Sequence, residues 1–217
     1  MEKCITIDLR NPKIQYLCER DKRLKKLISM VGPIQYTIRD SDDSYRFLIH
    51  EIIEQMLSVK AGNAIFNRLN SLCNEEITPE VVAGLSDAQI RSIGTSNTKV
   101  SFIRSITNSV LSGELNFPDL ENMSDDEVLR TLISIRGIGT WTAKMYLLFV
   151  LNRENILPFE DVAFLQAYQW LYKTSDRSSN TVIKKCKKWS PYSSYAARYL
   201  YRALDTGLTK EEFHLFK

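Results

Sequence analysis

The turn Gly137-Ile138-Gly139 is the first place in this sequence where residue types and spacing point to chemistry. An apolar helical pattern through Val128, Leu129, Leu132 and Ile133 stops there, and a second apolar helix starts near Thr140. Glycine permits a sharp turn and a close approach to a ligand, while Ile138 between the two glycines suits the core. The N–H groups that open the second helix, around Thr140 and Thr142, then form an anion site with the positive end of the helix dipole behind them. A nucleic-acid phosphate held in this way is gripped without its sequence being read. A lone Gly-x-Gly is also an ordinary way for a helix to end. Further along stands Asp161, before the apolar run Val162-Ala163-Phe164-Leu165. An aspartate there is a good helix N-cap, and a helix N-terminus keeps its carboxyl ionised. Between Arg177 and Arg202 lie Lys184, Lys185, Lys187, Lys188 and Arg198 with only Lys and Arg as charged residues. Such a stretch is either a solvated helix face or a phosphate-binding one.

Other chemistries find no support in the residues. Cys4, Cys18, Cys73 and Cys186 are too scattered for a metal knuckle or a disulfide framework, so reduced thiols in a cytoplasmic setting, nuclear in a eukaryote, are expected. His50 and His214 have no partner motif and read as structural or surface residues. The start, Met1-Glu2-Lys3-Cys4, lacks the apolar core of an export signal, and the longest apolar run, Met145 to Leu151, is too short for a bilayer. A soluble, unexported protein with no membrane partner is the expectation. With 217 residues, 44% hydrophobic and 25% charged, the chain is long enough to bury a full core, and its net charge of +3 hints only faintly at nucleic acid.

The elements that must position these residues are helical. Leu24, Leu27, Ile28 and Val31 keep helical spacing, as do Phe102, Ile103, Ile106 and Val110. Helix starts are marked by Thr78 before Pro79 and by three capping boxes, Ser86 with Gln89, Ser124 with Glu127, and Thr209 with Glu212. Asn116-Phe117-Pro118-Asp119 reads as a turn between helices. Ile5, Ile7 and Leu9 alternate with polar residues, a short N-terminal strand that cannot make a sheet alone. The predicted fold is all-α, one domain over residues 1–217 built as a compact two-lobed bundle of short helices.

The segment Gly137-Ile138-Gly139-Thr140-Trp141-Thr142-Ala143 closely resembles the hairpin of helix-hairpin-helix DNA glycosylases, especially the 3-methyladenine DNA glycosylase II group, with the motif spanning about residues 124–150. The likeness extends from about Asp21 to Leu204. Leu157-Pro158-Phe159-Glu160-Asp161 is similar to the Pro-x-x-Asp segment of that family, which makes Asp161 the catalytic carboxylate, with Glu160 as runner-up. Gln55, Ser58 and Ala61 match the family's Gln-x-x-Ser-x-x-Ala segment, and the resemblance makes Met56 the wedge that enters the duplex beside the flipped base. On helical spacing alone Met56 reads as a core residue. The resemblance further implies that the base pocket is lined by Trp141 and Tyr201, with Met145 and Tyr146 as further candidates. It also implies that the carbonyls of Ile133, Ile135 and Ile138 hold a monovalent cation, Na or K, beside the phosphate.

Bifunctional relatives carry a Schiff-base lysine two positions after the second hairpin glycine, where this sequence has Trp141; Lys144 lies on another helical face. The four-cysteine motif of the iron–sulfur branch is missing, and no catalytic cofactor is expected. The sequence also lacks the β-rich N-terminal domain of the longer bacterial members. The implied function is monofunctional removal of alkylated purines such as 3-methyladenine and 7-methylguanine from duplex DNA in base excision repair, by a monomer. The alternatives are a glycosylase for oxidised or deaminated bases and a helix-hairpin-helix DNA-binding module without chemistry.

Overall fold

The computed structural model describes residues 3–38 and 43–215, and the chain is predominantly helical, as the sequence predicts. It divides into two compact units: Arg39–Leu151, and a split unit made of Met1–Ile38 with Asn152–Lys217. Among the described residues no helix is long and apolar enough to cross a membrane.

The split unit opens on strand β1 (Lys3–Ile7), paired antiparallel with β2 (Ile34–Ile38) so that Ile5 faces Tyr36 and Ile7 faces Ile34. The predicted alternation stops at Ile7. Leu9 is exposed, because the Asp8 side chain accepts the Arg10 N–H and the Asp8 carbonyl accepts the Asn11 N–H, and this turns the chain into α1 (Pro12–Arg20). Helix α2 (Lys22–Val31) then buries Leu24, Leu27 and Ile28 on its predicted stripe. After residue 152 come α11 (Val162–Tyr172), α12 (Ser179–Cys186) and α13 (Ser193–Asp205), and α13 packs on α11 and α2. The closure point is Asp21, 2% exposed. One carboxylate oxygen accepts the N–H groups of Arg23 and Leu24 and so caps α2. The other accepts the Tyr172 hydroxyl and the Trp189 indole N–H (3.0 Å) and pairs with Lys188 (2.9 Å). Burial alone would raise this carboxyl, but those bonds outweigh it and hold the pKa below the ordinary value.

The continuous unit is all helix. Its centre is α3 (Ser44–Glu54), where Leu48, Ile49, Ile52 and Ile53 are fully buried, each worth about 1.5–3 kcal/mol of apolar transfer. Against it pack α4 (Val59–Leu72), α7 (Asn97–Leu111) and α10 (Thr140–Phe149). The short α5 (Pro79–Gly84), α6 (Asp87–Ser92) and α9 (Asp125–Ile133) begin where their caps predict. Thr78 receives the Val81 N–H, and Ser86 and Ser124 form complete capping boxes with Gln89 and Glu127.

Two local expectations are corrected. Asn116–Asp119 is not a plain turn but the entry to α8 (Phe117–Asn122), since proline fits a first helical turn as well as a loop. Thr209 and Glu212 form no capping box. Leu208–Lys210 is one 3-10 turn, and the chain beyond it leaves the helical path to bury Phe213, with Glu212 paired to Lys173.

Candidate active site

The candidate residues fall into two groups, one in each unit. In the continuous unit α9 ends at Ile133, the chain turns through Gly137-Ile138-Gly139, and α10 starts at Thr140: helix, hairpin, helix. The two glycines serve different ends. Gly137 has φ +101°, and a β-carbon on it would stand 2.5 Å from Cβ and Cγ of Phe102 on α7, so both backbone conformation and packing demand glycine. Gly139 is the N-cap of α10 with φ −95°, and a β-carbon there would meet nothing within 4 Å. The head of α10 therefore carries no side-chain cap and opens outward, as an anion site requires. Ile138 is 4% exposed and anchors the turn in the core.

Around the hairpin, Thr140 is exposed, whereas Thr142 is 1% exposed and points inward, so that what Thr142 can offer a phosphate is its backbone N–H. Its hydroxyl accepts from Gln55 Nε2 at 3.3 Å, and the same Nε2 donates to the Gly137 carbonyl at 3.0 Å. Gln55 thus braces the hairpin from the end of α3. Immediately after it, Met56 is 101% exposed in left-handed backbone, φ +61°, with Leu57 and Val59 also exposed beside it. Helical spacing suggested a core position for Met56. The spacing argument fails because α3 ends at Glu54 and the chain leaves the helix before Met56. Ser58 is exposed and caps α4 by accepting the Ala61 N–H. At the hairpin, among the described residues, the carbonyls of Ile133 and Ile138 accept no hydrogen bond, and that of Ile135 accepts only the Ile138 N–H (3.1 Å). Two open carbonyl oxygens on one turn fit the donor set of a monovalent cation.

In the split unit, Asp161 is the N-cap of α11, with Oδ1 accepting the Phe164 N–H at 2.6 Å, and its own N–H donates to the Pro158 carbonyl at 3.0 Å. It is buried, 9% exposed, next to the exposed Val162 at 69%. Of the two acidic neighbours, it is Asp161 rather than Glu160 that the cap immobilises. Tyr201 on α13 packs edge-on to Phe164 in the first turn of the same helix, with ring centroids 6.5 Å apart. Trp141 is half-buried in the first turn of α10 in the other unit. The further pocket candidates are Met145 and Tyr146. Both are buried, and Tyr146 donates to Ser44 between Phe47 and Phe117, a site whose dryness pushes its hydroxyl up to about 12.

The basic stretch divides. Lys188 belongs to the Asp21 knot, Lys185 lies over the Tyr172 ring, and Arg198 is stacked on Tyr36 and donates to Asn152, while Arg177, Lys184 and Lys187 are exposed. All four cysteines are free thiols, three of them buried. Among the described residues one His and carboxylate group is compact enough for a metal ion, His50 with Glu51 and Glu54 on α3. Sequence reading gave His50 no role, and its Nε2 is already hydrogen-bonded to Asn63.

Comparison with known proteins agrees with this geometry. Residues 49–191 match the family described as HhH-GPD superfamily base excision DNA repair protein. The chain is 31% identical over 192 residues to DNA-3-methyladenine glycosylase 1 of Schizosaccharomyces pombe, covering 86% of this chain and 84% of that one. Among solved structures it resembles a DNA-3-methyladenine glycosidase from Bacillus halodurans, with TM-score 0.83, 31% identity and 97% of each chain covered. It also resembles a 3-methyladenine DNA glycosylase of S. pombe in complex with abasic DNA, with TM-score 0.79, 29% identity, and 90% of this chain and 97% of that one covered.

Proposed function

We propose that this chain, which belongs to the HhH-GPD superfamily of base excision DNA repair proteins, is a monofunctional glycosylase that hydrolyses the N-glycosidic bond of alkylated purines in duplex DNA, acting as a monomer. The observation that carries the reading is the carboxylate of Asp161, held by the cap of its own helix at Phe164, the residue on which Tyr201 packs.

The chemistry follows from charge. A purine methylated at N3 or N7 is cationic, so when its bond to C1′ breaks it takes the bonding pair and leaves as a neutral base, with no proton donor needed. Positive, oxocarbenium-like charge is left on the sugar. A fixed anion lowers that barrier and orients the water whose oxygen completes the new bond to C1′, releasing a proton. In the reading, Asp161 is that anion, and its cap fixes where it stands. The Thr140 and Thr142 end of α10, with Gly137 and Gly139, holds a phosphate. Gln55 and Ser58 border the turn from which Met56 fills the gap left by the flipped base. Tyr201 and Trp141 offer electron-rich faces that favour a cationic base over its neutral parent. A monovalent cation on the carbonyls of Ile133, Ile135 and Ile138 would add positive charge beside the phosphate. Trp141 at the Schiff-base position leaves the strand uncut, with an abasic site as product.

Incubation with methylated DNA followed by chromatography of the freed bases tests this. The wild type is expected to release 3-methyladenine and 7-methylguanine. Asp161→Asn is expected to fold and bind DNA but to lose about 100–1000-fold in rate, the usual effect of removing one preorganised electrostatic group. Near-normal release by that variant refutes the assignment. Release only from oxidised or deaminated duplexes, or none from any, selects one of the alternative functions.

A further inference from the structure

We infer that Lys99 is a positioning residue that, through Gln55, makes the Met56 turn and the Gly137–Gly139 hairpin a single mechanical piece. This rests on the glycosylase reading for its functional consequence, but its geometry lies within the continuous unit. Lys99 sits in the first turn of α7 and its Nζ donates to the carbonyls of both Ile53 and Gln55 at 2.7 Å. Those carbonyls belong to the last turn of α3, where orphan acceptors and the negative end of the helix dipole call for a cation. Burial lowers the pKa of this lysine.

What Lys99 holds is strained. Met56 has φ +61° and a fully exposed side chain, so no packing by Met56 itself stabilises its conformation. A non-glycine residue in left-handed backbone persists only where its surroundings impose it. On one side the Leu57 N–H reaches back to Glu54. On the other, Lys99 fixes the carbonyl directly before Met56. The side chain of that same Gln55 spans to the Gly137 carbonyl and the Thr142 hydroxyl. One helical step beyond Lys99, on the same face of α7, Phe102 carries Gly137 at a distance that excludes a β-carbon. Helix α7 therefore supports the wedge turn with Lys99 and the hairpin with Phe102, and Gln55 closes the triangle. Wedge and phosphate grip cannot shift independently while these bonds stand, so gripping the strand presents Met56 at a set depth.

The test uses Lys99→Met, which keeps the stem and removes the donors, and Lys99→Arg, which restores them. The first readout is fluorescence of 2-aminopurine placed opposite a stable abasic analogue in a duplex, which rises when the stack is wedged open. The second is single-turnover base release from methylated duplex, compared with affinity for the same duplex. Lys99→Met is expected to keep the far-ultraviolet spectrum, to bind within about threefold of wild type, and to lose most of the fluorescence rise and about tenfold or more in release rate. Lys99→Arg is expected to recover most of both. In a Met56→Ala background the lysine change is expected to cost less than about threefold, because its route of action is already gone. Multiplicative losses in the double variant, or an unchanged fluorescence rise in Lys99→Met, overturn the inference. If Lys99→Met does not fold, Gln55→Leu, which cuts the link to the hairpin, takes its place with the same expectations. Absence of base release by the wild type refutes the glycosylase reading alone, and the fluorescence arm still decides the role of Lys99.

Discussion

The hairpin glycines give the sharpest prediction, because the structure assigns them opposite costs. In Gly137→Ala the new residue must keep φ at +101°, which costs an L-residue about 1–2 kcal/mol. Its β-carbon would also lie 2.5 Å from two carbons of Phe102, against an optimal separation of about 3.5–4.0 Å. Relieving such overpacking takes about 1–3 kcal/mol. Together these come to about 2–5 kcal/mol, and for a chain of this length each kcal/mol moves Tm by about 2–4 °C, so a fall of roughly 5–20 °C is expected. In Gly139→Ala the backbone is unstrained and the β-carbon meets nothing, leaving only the poorer N-cap, about 1 kcal/mol or less. That variant is expected to melt within about 4 °C of wild type yet to bind an abasic-analogue duplex at least about tenfold more weakly, its new methyl standing where a phosphate must approach. Thermal unfolding and fluorescence anisotropy read the two effects separately. Phe102→Ala added to Gly137→Ala is not expected to restore Tm, because alanine keeps the β-carbon that stands 2.5 Å from the new methyl. A Gly137→Ala protein with unchanged Tm refutes the packing argument, and a Gly139→Ala protein with wild-type affinity refutes the phosphate grip.

Other outcomes follow from the same geometry. Asp21→Ala removes an N-cap and strands the buried Tyr172 hydroxyl and Trp189 N–H; about 3–5 kcal/mol is expected, seen as a drop of roughly 6–20 °C in Tm, and a loss under about 1 kcal/mol counts against the knot. Burial acts to lower the His50 pKa, but hydrogen bonds with Glu51 and Asn63 and the charge of Glu54 raise it above the model-peptide value of 6.5. Its stabilisation is therefore complete below the unfolded-state pKa and fades as pH rises through the higher folded-state one. The Tm advantage of wild type over His50→Gln should shrink as pH rises from 6.5 through the higher folded-state value, and a constant difference would contradict this. Tyr201→Ala should slow release of cationic 7-methylguanine more than that of a neutral base such as hypoxanthine; equal slowing would remove the cation–π role.

Much of this was legible in the residues because it is written locally. The Ser86 and Ser124 boxes and the Thr78 cap mark helix starts through bonds that span three residues, and the hairpin is a contiguous string. Asp161 is legible as a cap for the same reason. The partner of β1 was not read: Ile34, Tyr36 and Ile38 alternate, but their pairing with Ile5 and Ile7 is closed by two intervening helices, which no local pattern reports. The same holds for the site's supports. Gln55 reaches Gly137 across 82 positions, and Lys99 reaches Gln55 across 44, by side-chain bonds to backbone carbonyls that impose no periodicity. Met56 misled because spacing cannot show that a helix has ended just before a residue, and the basic stretch because sequence does not tell a lysine bound to Asp21 from one in solvent.

The Asp21 knot also orders events during synthesis. Its carboxylate emerges early, but the hydroxyl, indole and ammonium that satisfy it arrive 151 to 168 residues later. A ribosome-bound chain can assemble Arg39–Leu151 as soon as that stretch is free of the exit tunnel, while the unit bearing Asp161 stays unfinished until Trp189 has been threaded out. A product cut short before Trp189 would therefore leave the Asp21 carboxylate without its indole and the split unit unfinished.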